Sequence, residues 1–279
     1  MQKEIYSCLW FDKNGKEAAE FYCSVFGNSK ITESNHLVTM FETHGQHFMC
    51  LSAGPIFKPN PSISFLIMCE TVEETQRLHS ELSEGGMILM PLDKYDWSES
   101  FSWVQDKYGF TWQIYLGKLE DVGQKFTPSL LFNGNKCGKA EEAIQYYTSI
   151  FKQSKIDGIM KYPDEDKENA GLVMHGQFRL ANNTFMIMDS SFNHGFDFNE
   201  AISFVIECDE QEEIDYFWDK FTAEGEESQC GWLKDKYGVS WQIIPSVLKE
   251  LMSDPERNIR VTNAFLKMKK FDIETILNA

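Results

Sequence analysis

The chain has 279 residues, room for two ordinary domains with their own cores. Its formal charge of −17 argues against nucleic acid and against anionic membrane surfaces, because phosphate would be repelled. Seven cysteines without a Cys-x-x-Cys pair point to reduced thiols in a cytoplasm, the polar start Met-Gln-Lys-Glu carries no signal-peptide pattern, and apolar runs such as 63–69 are far too short to span a bilayer.

In chain order, the apolar run 5–11 ends at Asp12-Lys-Asn-Gly15 and reads as a buried strand and a turn. Ala18, Ala19, Phe21, Tyr22, Val25 and Phe26 then recur at helical spacing, stopped by Gly27-Asn28. Two strands are expected near 31–41 and 47–52, followed by a proline-rich loop over 55–61. The order then restarts: a strand over 62–69, a helix over 73–83 with Leu78 and Leu82 inward, and Gly85-Gly86 as its stop. Strands over 87–92, 101–104 and 111–116 complete a plan of strand, helix and three strands, used twice.

The segment Asp106-Lys-Tyr-Gly-Phe-Thr-Trp-Gln-Ile114 returns as Asp235-Lys-Tyr-Gly-Val-Ser-Trp-Gln-Ile243, identical at seven of nine positions. Such agreement marks a tandem repeat. Each copy begins with turn chemistry and runs into an alternating strand. Other pairs align with it: Leu130–Phe132 with Leu9–Phe11, Phe185-Met186 with Phe48-Met49, Ile202-Ser-Phe204 with Ile63-Ser-Phe65, and Trp232 with Trp103. Extra residues fall near 162–169 in the second copy and near 87–99 in the first, where loops or hairpin tips absorb them. The triplet His-Gly-Gln at 44 and 175 occupies different places in this register and reads as an accidental echo. Beyond Asp254-Pro255, an apolar stripe including Phe265, Met268, Phe271 and Ile276 suits a helical tail that docks on the body or forms a dimer contact.

This doubled plan, with the Asp-Lys-Tyr-Gly…Trp-Gln-Ile signature, resembles the PhnB-like branch of the vicinal oxygen chelate superfamily of glyoxalases, bleomycin-resistance proteins and extradiol dioxygenases. That branch often carries the description 3-demethylubiquinone-9 3-methyltransferase. The resemblance implies an α+β fold of two tandem glyoxalase-like domains, each of two βαβββ modules forming a curled mixed sheet around a groove. The expected domains are 1–123 and 124–252, with a helical tail at 253–279. Two such domains in one chain look like a covalent dimer of single-domain relatives, so the protein is expected to be a monomer with internal pseudo-symmetry or a homodimer. The two grooves would lie one per repeat or be shared between repeats.

Metal-using members place His and Glu ligands on groove strands, where a divalent ion binds two neighbouring substrate oxygens. Here the final-strand Glu corresponds to Gln113 and Gln242, and the fifth-strand His corresponds to Ser62 and Ala201, within a register step. The opening strands 5–10 and 126–131 hold no His. An amide oxygen is a weak neutral ligand and a serine or alanine does not replace imidazole. Asp189, whose counterpart is Ser52, is the one carboxylate near a ligand-like position. No cofactor is therefore expected in the usual form. The six histidines, at 36, 44, 47, 79, 175 and 194, read as surface residues.

Strand parity puts Thr111, Gln113 and Tyr115 on one face and Trp112 and Ile114 on the other. By resemblance the glutamine face is the groove face, so Trp112 and Trp241 belong to the core. Gln113 and Gln242 would bind a ligand carbonyl or a backbone group, and Ser64 and Ser203 would keep the floor shallow. Tyr115, Asp189, Trp103 and Trp232 complete the candidate ligand-binding set; the two tryptophans would serve as walls or as core, whereas Met186 and Met188 read as core filler. No catalytic residue is assigned. The sequence holds no GxGxxG turn, P-loop or GxSxG elbow, which counts against a literal methyltransferase reading. Cys69 and Cys208, at the ends of matching strands, read as buried structural thiols. Three functions remain open: metal-independent binding of a small, partly apolar molecule, a metal-dependent lyase, isomerase or dioxygenase using positions such as Asp189, and a non-catalytic pseudo-dimer or sequestering protein.

Overall fold

The alternating and helical patterns become strands and helices in the computed structural model, which describes residues 5–279. The first module is β1 (Ile5–Phe11), α1 (Gly15–Phe26), β2 (Ser29–Ser34), β3 (Val38–Thr43) and β4 (Gln46–Ser52). The second is β5 (Ile63–Cys69), α2 (Val72–Ser83), β6 (Met87–Tyr95), β7 (Ser98–Gln105) and β8 (Thr111–Leu116). A short helix, α3 (Leu119–Val122), leads into the third: β9 (Phe126–Phe132), α4 (Ala140–Ile150), β10 (Ser154–Lys161), β11 (Val173–Leu180) and β12 (Asn183–Asp189). The fourth is β13 (Ile202–Cys208), α5 (Gln211–Thr222), β14 (Glu226–Glu227), β15 (Trp232–Lys234) and β16 (Ser240–Pro245), with α6 (Leu248–Ser253), α7 (Asn258–Phe265) and α8 (Ile273–Leu277) after it. The stretch expected as one strand over 31–41 is in fact a hairpin, β2 and β3. Asn35 makes the turn, its Oδ1 accepting from the backbone N–H of Leu37 at 2.9 Å and of Val38 at 2.8 Å.

The described chain forms two compact units, residues 8–202 and residues 5–7 with 203–279. Within the first unit runs an eight-stranded sheet in the order β10-β11-β12-β9-β5-β8-β7-β6. Its middle seam is the antiparallel pair β5–β9, with Ser64 opposite Ser129 and Leu66 opposite Thr127. On either side β8 runs parallel to β5 and β12 parallel to β9. The sheet therefore joins the second module of one repeat to the first module of the next. Of the two groove arrangements open in the sequence, this sheet adopts the one shared between repeats. The same unit also contains the run β1-β4-β3-β2.

One face of the eight-stranded sheet is buried under helices. Trp112 is fully enclosed, its ring 5.3 Å from Tyr22 and 5.0 Å from Phe26 of α1 and 5.3 Å from Phe65. Gly176 lies under α4: a Cβ there would meet Ile144 Cδ1 at 2.7 Å. The residues that alternate with these, among them Gln113 and Gln177, face the other way.

The second unit follows the order β14-β15-β16-β13. Trp241 packs 4.6 Å from Phe221 of α5 and 5.3 Å from Phe204. The tail docks in this unit: the N–H groups of Cys230 and Gly231 donate to the carbonyls of Met268 and Lys269, and Phe271 and Ile276 are buried. No helix among the described residues is long and apolar enough to cross a membrane.

Candidate functional site

The face of the eight-stranded sheet turned away from the helices, called the open face although Ser64, Leu66, Thr127, Ser129 and Met186 on it are buried, is assembled by register. Trp103 lies opposite Gln113, Gln113 beside Leu66, and Leu66 opposite Thr127. A neighbouring row runs Ser64, Ser129, Met186, Gln177. The expected groove residues Trp103, Gln113, Tyr115 and Ser64 thus share one face. The Gln113 amide Nε2 donates to Ser64 Oγ at 2.6 Å, leaving its carbonyl oxygen without a partner among the described residues. In the other unit the arrangement returns: Gln242 Nε2 donates to Ser203 Oγ at 2.9 Å, with Trp232 opposite Gln242. Gln113 is half-buried whereas Gln242 is buried, so the second copy is the more closed.

Two buried polar atoms on the floor of the first copy have no hydrogen-bond partner among the described residues, Trp103 Nε1 and Thr127 Oγ1. Ser240 Oγ, beside Ser203 in the second copy, is a third. Buried polar groups are normally paired, and an unpaired one costs about 1–3 kcal/mol.

One end of this face is closed by the chain itself. Val122 of α3 packs into a cluster with Leu66, Met68 and Met186, joined by Tyr115 and Leu119. The segment is held there by Thr184 Oγ1 donating to Val122 O at 3.0 Å and Gln177 Nε2 donating to Asp121 O at 3.2 Å. Tyr115 accordingly serves this plug, and its hydroxyl donates to Trp97 O at 2.6 Å.

Asp189 does not join the face. It pairs in register with Phe132, on the side of Ile187 rather than of Met186 and Met188. Its Oδ1 accepts from the N–H groups of Gly138 at 2.7 Å and Ala140 at 3.3 Å, and its Oδ2 from Val173 at 3.0 Å. It ties down the chain entering α4, as its counterpart Ser52 does for α1 by accepting from Gly15 N–H at 3.1 Å. Burial pushes its pKa up while these backbone donors pull it back. The groove role expected for Asp189 therefore gives way to a structural one.

His175 was expected at the surface. It is half-buried on β11, opposite Met160 and two residues from Gln177, hence on the open face. Burial holds its imidazole below the usual histidine value. Alternation in Val173–Leu180 carried this signal, since His175, Gln177 and Arg179 share one side.

The central floor offers amide, hydroxyl, indole and thioether groups, a poor donor set for a divalent cation. Among the described residues no group of three or more His, Cys, Asp or Glu could hold a metal ion. Burial pushes the Cys69 thiol up to about 12 and raises those of Cys23, Cys50, Cys137 and Cys230, the opposite of activation.

The family described as 3-demethylubiquinone-9 3-methyltransferase matches residues 3–115 and again 124–244. A PhnB protein from Bacillus cereus is 33% identical over 41% of this chain and 100% of its own, with a TM-score of 0.39. A Pseudomonas aeruginosa protein is 22% identical over 39% of this chain and 93% of its own, with a TM-score of 0.35. Glyoxalase I from Zea mays, 11% identical, covers 90% of this chain and 97% of its own with a TM-score of 0.59, a likeness of fold. No curated protein matches the chain.

Proposed function

The chain belongs to the 3-demethylubiquinone-9 3-methyltransferase family, within the glyoxalase-like superfamily, and we propose that it binds a small, uncharged, partly apolar molecule on the open face of its eight-stranded sheet without a metal. The observation that carries this reading is the pair of buried groups without a partner among the described residues, Trp103 Nε1 and Thr127 Oγ1, in rows shared with Gln113, Ser64 and Ser129, beside the end where Val122 already covers Leu66 and Met186. An indole N–H without an acceptor suits a ligand carbonyl or ether oxygen. Half-buried Gln113 is where the floor approaches solvent, and its free carbonyl oxygen suits a donor on the same ligand. Neutral side chains along this floor favour a neutral ligand, since an unpaired buried charge is costly.

Two family matches in one chain fit an internal pseudo-dimer. The reading does not extend to methyl transfer: the family's description is a label of the group, and the mixed sheet gives no Rossmann-type phosphate turn to support a nucleotide-derived methyl donor. Seven free thiols suit a reducing cytoplasm.

The test is a titration read by tryptophan fluorescence with 2-acetonaphthone, a neutral ring carrying a carbonyl, against naphthalene, which lacks it. The ketone should bind about tenfold more tightly, the equivalent of one well-made hydrogen bond, and Trp103→Phe should erase that preference. Equal affinities for the two probes, or an unchanged preference in Trp103→Phe, would overturn the proposal. Metal analysis of protein purified without chelator is the companion measurement, and a stoichiometric divalent ion would favour the lyase, isomerase or dioxygenase alternative.

A further inference from the structure

A cavity lies where the proline-rich loop meets the signature turn. Its volume is about 420 Å³ and its walls include Trp10, Phe57, Pro59 and Tyr108. That volume is within the range of small-molecule sites.

The walls are fixed in place. Trp10 Nε1 donates to Gly54 O at 2.7 Å, and its ring meets Phe57 edge-on with centroids 4.9 Å apart. The loop backbone is held where Asn199 Nδ2 donates to Lys58 O at 2.9 Å. Tyr108 is held by its hydroxyl donating to Glu17 Oε1 at 2.9 Å.

The rim is charged. Lys58 and Lys107 border the cavity, and neither makes an ion pair with a carboxylate among the described residues. Lys107 Nζ lies only over aromatic rings, 4.4 Å from the centre of Phe21 and 5.2 Å from that of Tyr108. Among the described lining residues Asp12 is the single carboxylate, that of Glu17 being bonded to the Tyr108 hydroxyl but not lining the cavity. Two ammonium groups against one carboxylate leave one net positive charge, in a chain whose overall charge is −17. Long-range repulsion by the rest of the chain selects against highly charged anions.

We propose that this cleft binds an aromatic monocarboxylate, with its ring between Trp10, Phe57 and Pro59 and its carboxylate met by Lys58 and Lys107. Aromatic walls contribute burial and ring contacts. The two lysines contribute a screened attraction that selects the acid over its neutral analogue. This site is separate from the one proposed for the sheet face and takes a ligand of the opposite kind, charged rather than neutral.

The probe is 2-naphthoate, with 2-naphthylmethanol as its neutral analogue, titrated calorimetrically into the full chain. The acid should bind more tightly than the alcohol, and the preference should shrink as salt is raised. Lys58→Gln combined with Lys107→Gln should weaken 2-naphthoate about fivefold and leave the alcohol unchanged, as expected for two exposed ion pairs. Asp12→Asn should strengthen 2-naphthoate. The proposal is overturned if the acid shows no binding at millimolar concentration, if the lysine variants bind it as the parent does, or if Asp12→Asn weakens it. Trp103→Phe, which tests the sheet-face site, should leave 2-naphthoate affinity unchanged, so failure at one site is distinguishable from failure at the other.

Discussion

The indole N–H of Trp112 donates to Asp106 Oδ2 at 2.7 Å, and Trp241 makes the same bond to Asp235 at 2.9 Å. The signature shared by the repeats is thus a folding device. In the first copy Asp106 Oδ1 accepts from the N–H groups of Tyr108 and Phe110, while Oδ2 also accepts from the Tyr22 hydroxyl at 2.7 Å. One buried carboxylate closes the turn, fixes the following strand and ties it to α1. Burial raises its pKa and these donors oppose that rise.

Asp106→Ala should destabilise the protein by about 3–5 kcal/mol, because it strands the Trp112 and Tyr22 donors and removes two turn bonds. Trp112→Phe, which strands less, should cost less. Urea unfolding followed by circular dichroism measures both. A loss below about 1 kcal/mol for Asp106→Ala would mean that water replaces the carboxylate without penalty, contrary to the burial of this site.

Gln113 and Ser64 hold each other on the open face, and their bond should appear as coupling in a double-mutant cycle. Gln113→Ala, Ser64→Ala and the double variant should give an interaction of about 1 kcal/mol in stability, typical of a side-chain hydrogen bond. Gln113→Ala and Gln242→Ala should fold as the parent does, and Gln113→Ala should weaken 2-acetonaphthone. Unchanged affinity would reduce Gln113 to a structural support.

Much of this was legible in the chain. The repeat shows because the turn and its Trp anchor are local, within the segment 106–114. The faces of β8 follow from alternation, and the sharing of Gln113 and Ser64 follows from parity once the strands are adjacent. The pairing of β5 with β9 is different: it joins modules of different repeats, and either choice satisfies the same hydrophobic pattern. The plug was also hidden, since α3 has only four residues and no periodicity to read. Asp189 carries a usable signal against a groove position, for Phe185, Ile187 and Asp189 alternate together on the buried side of the strand.

His175 should make stability depend on pH. The ordinary histidine value is 6.5, and burial lowers it in the folded state. The unfolded chain therefore binds the proton more readily, so stability is complete above about 6.5 and falls as the pH drops through that value toward the folded one. His79 and His194 are lowered for the same reason and add to the slope. His175→Gln should lose less stability than the parent between pH 7 and pH 5, measured by urea unfolding at each pH. Identical slopes in the two proteins would show that this imidazole charges without resistance in the folded state.

The tail should come loose when Gly231 gains a side chain. Gly231 has φ +80°, and a Cβ there would lie 2.5 Å from Ile243 O and 2.6 Å from the Phe271 ring. Its N–H meanwhile donates to Lys269 O at 2.7 Å, so the close approach is what lets the tail pair with this loop. Gly123 is the control: it is left-handed with φ +83° and ψ 2°, and a Cβ would meet nothing within 4 Å. Gly123→Ala should cost about 1 kcal/mol from backbone strain alone. Gly231→Ala should cost at least about 2 kcal/mol, because the collision with a carbonyl and a buried ring is added to that strain. It should also expose the segment beyond residue 253 to limited proteolysis, with cleavage followed by mass spectrometry. Equal costs for the two glycine variants, with the tail equally protected, would show that Phe271 moves aside freely and that the docking does not depend on this contact.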